Sequence, residues 1–103
     1  MLKIDRAAVD ALDRAGSAEE LADLVHEAIR LEFSTIPPYL TAMLSLKPGT
    51  NRDIRQDVHD IVVDEGLHMA IGCNLLKALG RTPAIANAEF VPRYGTAARV
   101  GDI

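Results

Sequence analysis

Apolar residues along the chain recur mostly at three- and four-residue steps, a helical period, and no stretch reads convincingly as a strand. The pattern predicts a short helix from Ile4 to Arg14, within an N-terminal piece of residues 1–16 that Gly16 closes. Ser17 then stands as an N-cap, with Glu20 three residues on completing a capping box. From there Leu21, Leu24, Val25, Ala28, Ile29, Ile36, Leu40, Met43 and Leu44 keep the step. Pro37 and Pro38 interrupt it, and a kink or break is expected there, because proline lacks the helix-bonding N–H and its ring crowds the preceding turn. Leu46 to Asn51 reads as a loop: Pro48-Gly49 is turn chemistry, and Thr50 or Asn51 is placed to cap the next helix. That helix, the longest, should run from about Arg52 to Leu79. Ile54, Val58, Ile61, Met69, Leu75, Leu76 and Leu79 form its apolar stripe, and Gln56, Asp60, Asp64 and Lys77 lie outside it. Gly80 supplies a left-handed C-terminal residue, Pro83 blocks continuation, and residues 86–103 read as an irregular tail.

Ionisable side chains fall inside these apolar stripes. At about 100° per residue, positions seven apart nearly superpose. Glu65 therefore lies over Val58 and Gly72, and His68 over Ile61 and Leu75. On the earlier helix Glu32 lies over Val25. An unpaired carboxylate in an apolar interior costs several kcal/mol or takes up a proton, so three such groups on one seam require a common cause. A metal ion is one: carboxylate oxygens and an imidazole nitrogen suit iron, manganese or zinc, and Glu-x-x-His at i, i+3 lets one helix offer two ligands. A buried hydrogen-bonded or ion-paired cluster that holds two helices in register is the other.

The metal reading has a known stoichiometry. Di-iron and di-manganese carboxylate bundles take one glutamate from each of two helices and a Glu-x-x-His from each of the other two. Glu32, Glu65 and His68 are half of that set. Two copies related by a two-fold axis hold the whole complement and give each helical hairpin the second hairpin it needs for burial. The expectation is an all-α chain of one domain, residues 1–103, forming a four-helix bundle as a homodimer or higher homo-oligomer.

Composition narrows the alternatives. A net charge of −4, from 15 acidic and 11 basic residues without a clustered basic stripe, argues against a nucleic-acid partner. Cys73 is the single cysteine, so no intrachain disulfide or cysteine-rich zinc site can form, which favours a cytoplasmic setting. No apolar run reaches membrane-spanning length, so no membrane partner is expected. The remaining candidates carry less chemistry. His59 lies opposite His68 and reads as a surface residue, and His26, about 120° from Glu32, as solvent-facing or interfacial. Tyr39 is placed to support a carboxylate if the prolines do not disturb its phase. Thr35 bonds either the Glu32 carboxylate or its own helix backbone, and Cys73 reads as a small buried hydrophobe.

Taken together, IRLEFSTIPPYLTAMLSL (Ile29 to Leu46), IVVDEGLHMAIGCNLLKALGRTPAI (Ile61 to Ile85) and FVPRY (Phe90 to Tyr94) resemble the ferritin-like domain of the iminophenyl-pyruvate dimer synthase family. The matching positions are Glu32, Thr35 to Leu40, Glu65, His68, Met69 and Asn74 to Leu76. The resemblance implies a ferritin-like fold and oxidase- or oxygenase-like coupling of imines derived from aromatic amino acids; with the bundle stoichiometry above, the expected cofactor is iron (Fe2+/Fe3+), two ions at each dimer site. Small-molecule substrates and a place in secondary metabolism go with it. An iron-handling protein without organic substrate, or a metal-free structural module, are the alternatives. Two positions depart from the family pattern. Gly66 stands where a bulkier residue is usual, for which close backbone approach would compensate, and Gly95 comes after FVPRY in place of proline.

Overall fold

The computed structural model describes residues 6–94. Among these the regular structure is helical: α1 (Arg6–Arg14), α2 (Ala18–Ser45) and α3 (Arg52–Ala78). The expected start of the first helix at Ile4, the end of the tail and Gly95 lie outside the described residues. Ser17 caps α2 as its sequence implies, its hydroxyl accepting the Glu20 N–H at 3.1 Å. The return bond reaches one residue further back than a standard capping box, because the Glu20 carboxylate accepts from the Gly16 N–H at 2.7 Å. Asn51 precedes α3 with φ 49°, a left-handed conformation that asparagine tolerates, and its side chain makes no capping bond. Gly80, at φ 85°, ends α3 in the left-handed region.

Helices α2 and α3 form an antiparallel hairpin. The Arg55 guanidinium donates to the Met43 carbonyl at 2.8 Å beside the connection, and at the other end Arg81 pairs with Asp23. The core lies toward that other end: Ala22, Val25 and Ile29 of α2, Leu76 of α3 and Phe90 of the segment after it are buried, with Phe33, Met69, Cys73 and Leu79 packed against them. Of the expected α3 stripe, Leu76 is buried and Val58, Ile61, Met69 and Leu79 are half-buried. Ile54 and Leu75 are exposed instead, as is Leu44 on α2. Ile54 and Leu44 sit near the connection, past the stretch of α2 that supplies buried side chains. Leu75 projects to one side of the hairpin, where no element among the described residues covers it.

The helices approach closely at Gly72, not at Gly66. A Cβ on Gly72 would stand 2.7 Å from Ile29 Cγ1, whereas one on Gly66 would meet nothing within 4 Å. The expected compensation at Gly66 is therefore absent, and the glycine that permits contact is the one stacked over Glu65.

The expected break at the prolines does not occur, since α2 runs unbroken through Pro37 and Pro38. Proline's fixed φ suits a helix; what it removes are the N–H groups that would bond the carbonyls four residues back, those of Phe33 and Ser34. One hydroxyl restores part of the network: Tyr94 donates to the Ser34 carbonyl at 2.9 Å.

Candidate metal centre

Glu32 lies midway along α2, and Glu65 and His68 lie midway along α3. An antiparallel hairpin sets two midpoints side by side. One ligand atom from each of the three residues lies within 4.8 Å of the other two. His68 Nδ1 stands 3.4 Å from Glu32 Oε2. Two ligand atoms on one cation, each about 2.0–2.2 Å from it, stand at most about 4.4 Å apart. The 3.4 Å between His68 and Glu32 is within that limit, and the 4.8 Å bound on the set is close to it.

The site is more open than an apolar seam between helices implies. Side-chain exposure is 54% for His68 and 30% for Glu32. The expectation that both Glu65 and His68 point inward holds for Glu65, which is half-buried, and fails for His68, which sits at the rim of the helix contact. Beside His68 on α3, Val63, Leu67, Ile71 and Leu75 succeed one another at four-residue steps, each at least 45% exposed. His68 thus borders an apolar row that is exposed among the described residues.

Burial pushes the Glu32 carboxyl above its ordinary range, and the neighbouring Glu65 carboxyl, hydrogen-bonded to it and adding its negative charge, pushes in the same direction; His68 opposes the shift. Two carboxylates this close repel unless they share a proton or a cation. A donor set of two carboxylates and an imidazole suits first-row transition metals that accept mixed oxygen and nitrogen ligands.

The other candidates fall elsewhere. His59 is a surface residue paired with Asp60 at 3.2 Å. His26 is not solvent-facing: its Nε2 is buried without a hydrogen-bond partner among the described residues, and its ring packs edge-on against Phe90 at 5.9 Å. Thr35 bonds back to the Glu32 carbonyl at 2.8 Å and leaves the carboxylate alone. Tyr39 is half-buried and makes no hydrogen bond to either glutamate among the described residues. Cys73 is a free thiol packed on the core. Gly72 and Tyr94 are the residues near this region whose part emerges only from the fold. The seven-residue step from Glu65 was a signal for Gly72; for Tyr94 the tandem prolines were the signal, since they leave carbonyls needing donors.

Helices that bring a mixed carboxylate–imidazole group together define a class: an all-helical protein, over the described residues, with three side chains able to hold a metal. A family model described as Ferritin-like matches residues 25–102, and the chain belongs to this ferritin-like family. Neither the curated proteins nor the solved structures yield a match. No helix among the described residues is long and apolar enough to cross a membrane.

Proposed function

We propose that this chain is an iron-binding ferritin-like protein in which Glu32, Glu65 and His68 hold the ion, and that a second copy completes a two-metal centre. The observation that carries the reading is the convergence of the three ligand atoms from two helices. In the paired form Glu32, Glu65 and His68 of each copy would together hold the ions, with Glu65 the residue that would be shared between them and Glu32 and His68 each serving one. The exposed row Val63, Leu67, Ile71 and Leu75, beside His68, supports pairing on that face. Iron so held supplies a reducible Lewis acid with open positions for dioxygen. The chain's own part is to keep Glu32 partly desolvated against Glu65, which disfavours its charged form, so that an entering cation competes with a proton there and binds more tightly as pH rises. The activity we infer is oxidase- or oxygenase-like, on small imines of amino-acid origin; its support is the resemblance of the Glu32 to Leu40 and Glu65 to Leu76 stretches to the iminophenyl-pyruvate dimer synthases. A single free thiol fits a cytoplasmic setting.

Protein purified from iron-supplemented culture should carry about one equivalent of iron per chain. The metal should be lost in Glu65→Ala and His68→Ala, and the solution mass should be two or more times the chain's 11.1 kDa. Manganese or zinc in the same stoichiometry would keep the site and replace the ion. Oxygen uptake that depends on added aromatic imines separates an enzyme from an iron-handling protein. A second reading draws on the Glu32–Glu65 hydrogen bond, which needs a proton between the carboxyls: a metal-free pair that keeps α2 and α3 in register. Metal-free protein whose stability falls on Glu65→Ala would establish that reading, and metal-free protein indifferent to both substitutions would remove the site altogether.

A further inference from the structure

We propose that Tyr94 is a positioning residue: its hydroxyl replaces the backbone donor that Pro38 removes, clamping the turn of α2 that carries Glu32. The inference rests on the metal reading for its consequence and on the backbone geometry alone for the clamp. In an unbroken helix the Ser34 carbonyl would accept from the N–H of residue 38, which proline does not have. The Tyr94 hydroxyl donates to that carbonyl at 2.9 Å across 60 residues of sequence.

The donor is delivered by a built segment. After α3, the Asn87 side chain bonds the Ala84 carbonyl at 3.0 Å and accepts the Phe90 N–H at 2.9 Å, turning the chain back toward α2. Phe90, 3% exposed, anchors the segment between His26 and Phe33, with ring centroids 5.9 and 5.2 Å away. Phe90 thereby seats Tyr94 four residues further on. Tyr94 is 54% exposed; a phenol is protonated at neutral pH, and the partial desolvation of this hydroxyl shifts it further the same way, so it is a donor there.

The clamped carbonyl lies two residues after Glu32. With Pro37 and Pro38 in place, the carbonyls of Phe33 and Ser34 have no helix N–H ahead of them, so this is the point where α2 is least tied to its own next turn. Glu32 stands one and two residues before those carbonyls, on the turn that carries its carboxylate toward α3. A bond from outside the helix fixes the turn where the helix cannot.

The test is a double-mutant cycle on the full chain. Tyr94→Phe removes only the hydroxyl; Pro38→Ala restores the N–H that makes it redundant. In the parent background Tyr94→Phe should lower the folding equilibrium constant about two- to fivefold. Affinity for Co2+ alone, read from its visible spectrum, should weaken by about the same factor, with altered band intensities. In the Pro38→Ala background Tyr94→Phe should change neither quantity. An equal loss in both backgrounds, or none in either, overturns the clamp. Should Tyr94→Phe not fold, the double variant decides: folding restored supports the clamp, and folding still lost overturns it. If the parent binds no Co2+, the metal site and the positioning role fall together, while the urea-unfolding arm still judges the clamp. A stability cycle that couples Tyr94 to Pro38 without any change in the cobalt spectrum would reduce Tyr94 to a structural part.

Discussion

Two mid-helix glycines of α3 should respond to the same methyl with opposite sign. In Gly72→Ala the new Cβ would lie 2.7 Å from Ile29 Cγ1, where carbon atoms settle at about 3.5–4.0 Å, so the helices must part by about 1 Å or Ile29 must move. Ile29 is 1% exposed and β-branched on a helix, which leaves its χ1 one favoured well and its Cγ1 no free volume to swing into. Overpacking of this kind costs about 1–3 kcal/mol, and the helix propensity gained from Gly to Ala returns about 1 kcal/mol. The net loss is about 1 kcal/mol, which lowers Tm by about 4–8 °C for a chain of this size. Gly66→Ala meets nothing within 4 Å and keeps the whole propensity gain, raising Tm by a similar amount. Circular-dichroism melts and urea titrations of metal-free protein at one fixed concentration measure both. Gly72→Ala as stable as Gly66→Ala would refute the contact at Ile29.

Other contacts give three further expected outcomes. Because the Glu32 carboxyl is raised by burial and by Glu65, its protonated form favours the fold: stability of metal-free protein should fall as pH rises from the ordinary carboxylate range through the raised value, then level off. Metal affinity should run the other way, rising with pH as the proton leaves; urea titrations across pH should show the falling slope in the parent and not in Glu32→Gln, and equal slopes would contradict the shift. Phe90→Ala empties a site buried against His26 and Phe33 and should cost about 3–5 kcal/mol in urea unfolding; under 1 kcal/mol would mean the segment does not anchor there. Ser17→Ala deprives the Glu20 N–H of its acceptor and should cost about 1 kcal/mol, with an unchanged Tm counting against the cap.

The helix pattern could be read from the chain because amphipathic periodicity and end signals agreed: Ser17 and Gly80 sit where their chemistry places them. The juxtaposition of Glu32, Glu65 and His68 was legible for the same reason, since phase on a helix is arithmetic and an antiparallel hairpin aligns midpoints. Phase does not report what covers a face. His68 and Leu75 share a direction that helix geometry alone treats as inward, and both are exposed because no further element among the described residues lies on that side. The prolines misled for a different reason. Their effect on a helix depends on whether the freed carbonyls find other donors, and Tyr94 arrives from 60 residues away. Gly66 drew notice through its neighbours in the Glu-x-x-His motif, yet only Gly72 lies toward α2.

The four-step row of Val63, Leu67, Ile71 and Leu75 has a bearing on any bench experiment with this chain. One flank of the rod is wetted poorly by water, and whatever shields it releases ordered solvent into the bulk. Shielding by another molecule is bimolecular, so it ties apparent heat resistance to molarity: diluting the sample would lower the melting temperature without touching a single intramolecular bond.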